Sequence, residues 1–146
     1  MKKSGQPFAN LLDQVRKELA GSFFEIYMLD LVTGEYTPQV KTGNQPILTP
    51  PDLILEAFSD RRSLTHSPNA GYILIASSER VFGWIEIQTK GGKPNVDELI
   101  QLDANVWPER LNLVQEYINE DLEKKTKDLG ILSRIAQGIN ITVHRD

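Results

Sequence analysis

Over residues 8–19 the apolar positions Phe8, Leu11, Leu12, Val15 and Leu19 recur at the spacing of one helical face. Pro7 suits the first turn and Gly21 the exit, so the pattern predicts an amphipathic helix whose stripe needs a partner surface. The period then changes. Residues 23–30 form an aromatic and branched run that ends before the turn-forming Thr33-Gly34, and residues 36–40 return from it, which predicts a β-hairpin. Pro38 has no N–H to give to a ladder and places the returning strand at a sheet edge. Thr49-Pro50-Pro51-Asp52 has the form of a helix start, with a hydroxyl cap, proline in the first turn and a carboxylate three residues on; a short helix should run to about Asp60. Residues 71–77 and 81–88 are apolar runs separated by Ser78-Glu79-Arg80, which predicts a second hairpin supplying the central strands.

Gly91-Gly92-Lys93-Pro94 breaks the strand pattern, and Asn95 with Glu98 three residues later gives a second capping signature before Leu99 and Ile100. Pro108 kinks or restarts the helix that follows. Beyond it Leu111, Val114, Ile118, Leu122, Leu129, Leu132, Ile135 and Ile139 keep an apolar stripe, interrupted at Lys125. Gly130 and Gly138 each weaken that helix by about 1 kcal/mol relative to Ala. The stripe either folds back on its own domain or pairs with its twin in a parallel dimer. A small domain already covers its sheet before this point, which favours pairing beyond Ile118. The expected organisation is a domain over 1–118 and a helical linker over 119–146 that leads to a following domain.

Composition removes several functions. The chain has 0 Cys, hence no disulfide framework, no thiol nucleophile and no thioether attachment point for a chromophore. A net charge of -4, with 16 basic and 20 acidic residues, provides no broad cationic footprint for a phosphate backbone; Arg61-Arg62 and Lys124-Lys125 are local pairs. Neither nucleic acid nor membrane is expected as a partner, since no run of about 18 apolar residues is present. Residues 1–7 are basic but lack the apolar block of a secretory signal, so a cytoplasmic location is expected.

Candidate chemistry is sparse. His66 and His144 have no partner at ligand spacing and read as exposed residues. His144-Arg145-Asp146 copies a kinase triplet without the rest of a kinase site, and Gly91-Gly92-Lys93 lacks the spacing of a phosphate loop. Asp52 and Glu56, one helical turn apart, read as a solvated face. The run over 81–88 says more: alternation sets Phe82, Trp84, Glu86 and Gln88 on one face, and Val81, Gly83, Ile85 and Ile87 on the other. On one reading Tyr72, Phe82, Trp84 and Glu86 line a small-molecule cleft, with aromatic area and a carboxylate to orient a donor. On the other, the same face packs against a helix and leaves Glu86 near solvent.

Three stretches carry a family resemblance. Phe24-Glu25-Ile26-Tyr27-Met28-Leu29-Asp30 with Thr33-Gly34-Glu35, Val81-Phe82-Gly83-Trp84-Ile85-Glu86-Ile87, and Val96-Asp97-Glu98-Leu99-Ile100-Gln101-Leu102 resemble, in order, the first hairpin, last central strand and closing helix of a GAF domain. The resemblance implies an α+β fold with a PAS-related antiparallel sheet, flanking helices and a long C-terminal signalling helix. It also implies a sensory module of a multidomain regulator such as a sensor kinase in a two-component system or a cyclic-dinucleotide enzyme. Residues 41–70 carry one clear helix where ligand-binding members have longer pocket walls, and the Asn-Lys…Phe…Asp-Glu pattern of cyclic-nucleotide binders is absent. The expected function is therefore non-enzymatic and cofactor-free: sensing of a small molecule or partner, transmitted through a homodimeric helix to an output domain outside this chain. The alternative is a purely structural dimerisation module.

Overall fold

A computed structural model describes residues 6–20, 22–40, 45–88 and 95–139, with side chains through residue 125 in the last span. The element order is α1 (Gln6–Glu18), β1 (Phe23–Leu29), β2 (Tyr36–Pro38), α2 (Asp52–Ser59), β3 (Leu64–His66), β4 (Ala70–Ala76), β5 (Val81–Gln88), α3 (Val96–Asn105) and α4 (Trp107–Ile139). The chain divides into two compact units, Met1–Val114 and Gln115–Asp146. All five strands belong to the first, and α4 contributes residues to both. The predictions on Gly91-Gly92-Lys93, on the side chains of Leu129, Leu132, Ile135 and Ile139, and on His144 lie outside the described residues.

The strands form one antiparallel sheet in the order β2-β1-β5-β4-β3. The two predicted hairpins are present, and they join through β1 and β5, whose register runs from Phe23↔Gln88 to Met28↔Gly83. This pairing puts β5 in the middle, so residues of both its faces from Val81 to Ile85 are buried. Pro38 sits on the edge strand β2, as its missing donor requires. Tyr36, at the start of β2, exchanges both backbone hydrogen bonds with Ile47, which covers part of that edge.

The helices supply the rest of the core. Leu11 and Val15 of α1, Ile54 and Ala57 of α2, and Leu99 and Leu102 of α3 are buried with Ile26, Ile73, Ile75 and Ile85. Leu99 seats directly on Gly71, where an added Cβ would lie 2.5 Å from its Cδ2. Asn105 Nδ2 donates to Glu18 Oε1 at 2.9 Å and ties α3 to α1. The Asn95 cap is as predicted, its Oδ1 accepting from the Glu98 N–H at 3.2 Å. Pro108 takes a first-turn position in α4, which restarts after α3 ends at Asn105.

Two local features depart from the sequence reading. Thr49 does not cap α2. Thr49 and Pro50 each precede a proline and are held away from helical ψ, so the helix starts only at Asp52, with Pro51 at φ -57 and ψ 154. At the other end α2 closes in a Schellman turn: the Arg61 N–H donates to Phe58 O and the Arg62 N–H to Ala57 O. The residue that must turn left-handed there is Arg61, at φ 59. Glycine would adopt that conformation without strain, whereas a side chain there costs roughly 1 kcal/mol.

Gly83 is the glycine the sheet cannot replace. A Cβ at this position would lie 2.1 Å from the Tyr27 carbonyl oxygen and 2.8 Å from Met28 Sδ. Backbone in the central strands cannot withdraw without breaking the β1–β5 ladder. Gly83→Ala should therefore lower unfolding free energy by about 3 kcal/mol in urea titration. Gly34→Ala, which meets open space but takes a left-handed φ of 78, should cost only about 1 kcal/mol. Equal losses in the two variants would contradict the close approach at Gly83.

Candidate functional site

The β1–β5 register carries Tyr27 onto the sheet face of Trp84, and the β4–β5 register adds Leu74 and Tyr72. Trp84 is 1% exposed. Its ring stacks on Tyr27 at 5.0 Å and meets Tyr36 at 5.3 Å in a tilted arrangement. The Tyr36 hydroxyl donates to the Val81 carbonyl at 2.9 Å, which locks that ring in place. Phe82 is equally buried at 1%, with the Arg80 guanidinium 5.5 Å from its ring centre. Tyr72 and Glu86 remain partly exposed and lie opposite each other in the register. Tyr72, Trp84 and Glu86 thus share a face, Phe82 falls where the β4–β5 register shifts, and both Trp84 and Phe82 are buried by the chain's own residues. The indole Nε1–H of Trp84 is buried without a partner, a donor that an entering acceptor or water would satisfy.

Glu25, which periodicity alone does not single out, is the most buried acid on this face at 2% exposure. Its Oε2 accepts from the backbone N–H groups of Gln39 at 3.0 Å, Val40 at 2.7 Å and Ile26 at 3.2 Å. Convergent amides are what make a buried carboxylate tolerable, and here they fix the chain just after β2 ends. Glu25 stands opposite Glu86 across β1 and β5, so this end of the face is acidic. Burial raises the phenol pKa of Tyr27 above 10.0, and the charges of Glu86 and Glu25 add to the shift. Burial raises Tyr72 as well, with Glu86 adding and a hydrogen bond from Ser67 opposing. Burial raises Tyr36 against the opposing charge of Arg80.

A second site lies at the opposite end of β4. A cleft of about 210 Å³ is lined by Phe58, Arg61 and Arg62 from the end of α2, Ser63, Leu74 and Ala76 of β4, Ser77 and Ser78 after it, and Trp107 and Arg110 of α4. Arg110 is 3% exposed. Its Nη1 donates to the Leu74 carbonyl at 2.7 Å, and its Nη2 donates to the backbone oxygen of Asp103 at 2.8 Å and pairs with the Asp103 carboxylate. Ser63 Oγ donates to the other carboxylate oxygen of Asp103 at 2.9 Å. Burial lowers the Arg110 pKa and Asp103 acts against that shift; the group remains charged at any physiological pH. The Arg110 guanidinium also lies 4.9 Å from the ring centre of Trp107, whose own surface is half exposed. Arg61-Arg62 was visible in the sequence as a charge pair, but its meeting with Arg110 depends on tertiary structure.

Of the predicted linker stripe, Leu111 and Leu122 are exposed, Ile118 is half-buried, and Val114 is buried beside Leu113. Val114 is thus engaged within a single chain. Among the described residues no cluster of His, Cys, Asp and Glu could hold a metal ion, and no helix is long and apolar enough to cross a membrane.

The fold is GAF-like. The crystal structure of the GAF domain/HD domain protein from Geobacter sulfurreducens matches with a TM-score of 0.53, covering 77% of this chain and 93% of that one at 14% identity. No protein-family model matches the chain, and no curated protein does. A likeness at this identity establishes the architecture, an α+β GAF/PAS-like antiparallel sheet with flanking helices.

The three raised phenols set a direction for alkaline stability. A folded pKa above the unfolded value means that the native state holds its proton longer, so this contribution is intact below about pH 10 and is lost as pH rises through the folded values. Ultraviolet titration should show these tyrosines ionising above 10.0, and urea stability should decline over the same range. Tyr72→Phe should reduce that slope; an unchanged slope would show that Tyr72 carries none of it.

Proposed function

We propose that this chain is a sensory or signal-relay domain of a multidomain regulator, non-enzymatic and cytoplasmic, that passes conformational change along α4 to an output domain outside it. The observation that carries this reading is the origin of α4. Its first turns are fastened to the sheet through Arg110 and Leu74, and the same helix supplies the second unit, from Gln115 on. A perturbation at the start of such a helix is passed along it by its own hydrogen-bond ladder. For the relay to switch, a ligand or partner must bind one packing of α4 better than another. The GAF-like fold adds to this reading as a sensory architecture.

The helix would act in a parallel homodimer, with Leu111, Ile118, Leu122, Leu129 and Leu132 in the seam and Val114 retained by its own chain. A second reading, a structural dimerisation module with no small-molecule ligand, is favoured by one observation. Trp84 and Phe82 are each 1% exposed, and the Trp84 ring is already in contact with Tyr27 and Tyr36, so a ligand there must displace packed side chains.

Native mass spectrometry of the intact chain separates these readings. A dimer retaining a small molecule, lost on Trp84→Ala, is the expected result for a sensor that uses this face. A bare dimer supports the structural module. Charges in an apolar seam are poorly tolerated, so Ile118→Asp with Leu132→Asp should raise the dimer dissociation constant at least about a hundredfold. A dimer that persists in that double variant would exclude helical pairing.

A further inference from the structure

The net charge of the chain is -4, yet the charged residues that line the described cleft at the end of α2 are Arg61, Arg62 and Arg110. We propose that this cleft binds the phosphate group of a small phosphorylated molecule. The site is distinct from the Trp84 face, and its failure would leave the relay reading untouched.

The three guanidiniums differ in what they can offer. Arg110 is immobilised: its Nη atoms are held by Leu74 and Asp103, while its Nε–H is buried without a partner. A buried donor left unmade is costly, and an anionic oxygen is the acceptor best suited to a guanidinium edge. Arg62 pairs with Asp60 Oδ2 at 3.1 Å and donates to Thr65 Oγ1 at 3.4 Å, so its charge is already met by a neighbouring carboxylate. Arg61 is uncommitted: among the described residues its side chain has no hydrogen-bond or ion-pair partner. It is also the residue at φ 59 in the Schellman turn, a place where glycine would be free of strain. An arginine held in a left-handed turn without a structural partner, beside a second, buried guanidinium, points to an anion rather than to packing.

The remaining lining defines the ligand class. Ser63 and Ser78 place hydroxyl groups at the cleft, while Phe58 and the half-exposed ring of Trp107 offer apolar surface to a short carbon stem. Asp103 and Asp60 balance Arg110 and Arg62, so Arg61 supplies the unbalanced positive charge, and its planar fork matches the oxygens of a phosphate group. A volume of about 210 Å³ admits a phosphate with a few carbon atoms and falls below the space that a nucleotide-sized ligand occupies.

Calorimetric titration of the intact chain with inorganic phosphate and with methyl phosphate, against chloride at matched ionic strength, tests the proposal. Saturable one-to-one binding of both phosphates is expected, with amide shifts at Arg61, Ser63 and Ser78 and at the Trp107 indole. The decisive variant is Arg61→Gly, because glycine accepts the left-handed turn and removes only the side chain. It should weaken phosphate binding about tenfold while leaving the melting temperature unchanged or raised. Arg61→Asn, which also tolerates the left-handed conformation, should behave in the same way. Absence of saturable binding, affinity unchanged in both variants, or shifts confined to residues outside the cleft would each overturn the site.

Discussion

The structure depends on one buried ion pair at the edge of its sheet. β3 begins only at Leu64, so β4 runs on past the start of its neighbour. The Leu74 N–H still reaches Ser63 O, but the Leu74 carbonyl has no strand to accept from, and Arg110 Nη1 supplies the missing donor. An arginine can serve there only if its charge is balanced, and Asp103 of α3 provides both a carboxylate and a backbone oxygen. Ser63 completes the arrangement by donating to that carboxylate. Four elements meet in this network: the start of β3, the middle of β4, the end of α3 and the first turns of α4. Loss of Asp103 would leave a buried cation without its counter-charge, which is why the pair is more consequential than its exposed counterpart between Arg62 and Asp60.

Around this fixed edge the charge is distributed unevenly. Glu25, Glu86 and Tyr72 form a row across β1, β5 and β4, and the negative charge there adds to the effect of burial in raising the phenols of Tyr27 and Tyr72. Two residues farther along β4, Leu74 lies at the arginine cleft. The sheet therefore presents an acidic region and a basic one separated by the aromatic stack of Tyr27, Trp84 and Tyr36.

Much of the architecture was legible in the sequence because periodicity and punctuation agree there. The alternation over Val81–Gln88 and the turn residues around Gly34 fixed both hairpins, and Asn95 with Glu98 marked the start of α3. β3 was not legible: Leu64–His66 is three residues long, too short for a period, and exists because β4 offers it a ladder. Glu25 and Arg110 were missed for a related reason. Each is a charged residue inside an amphipathic run, where pattern reading assigns charge to solvent, and each is buried because partners distant in sequence satisfy it. The Thr49 cap failed because the steric effect of two consecutive prolines outweighs a favourable capping pattern. At the candidate ligand face the alternation placed Trp84 and Glu86 together, while the contacts of Trp84 with Tyr27 and Tyr36 depended on β1 pairing with β5 and β2 with β1.

Leu74 is where these features join. It faces Trp84 in the β4–β5 register, lines the arginine cleft, and gives its carbonyl to Arg110. A ring displaced from the aromatic stack would press on Leu74, and a shift of Leu74 would move the acceptor that fastens α4. A ligand in the proposed cleft site would lie beside the same guanidinium. Both inputs therefore converge on the orientation of one arginine in the first turn of α4. Packed cores respond to such displacements by moving between discrete arrangements rather than by deforming smoothly, and a short hydrogen bond between a guanidinium and a strand carbonyl is either made or broken. On the proposed reading a relay built on this contact would need no long chain of couplings, because Leu74 both faces Trp84 and lines the cleft.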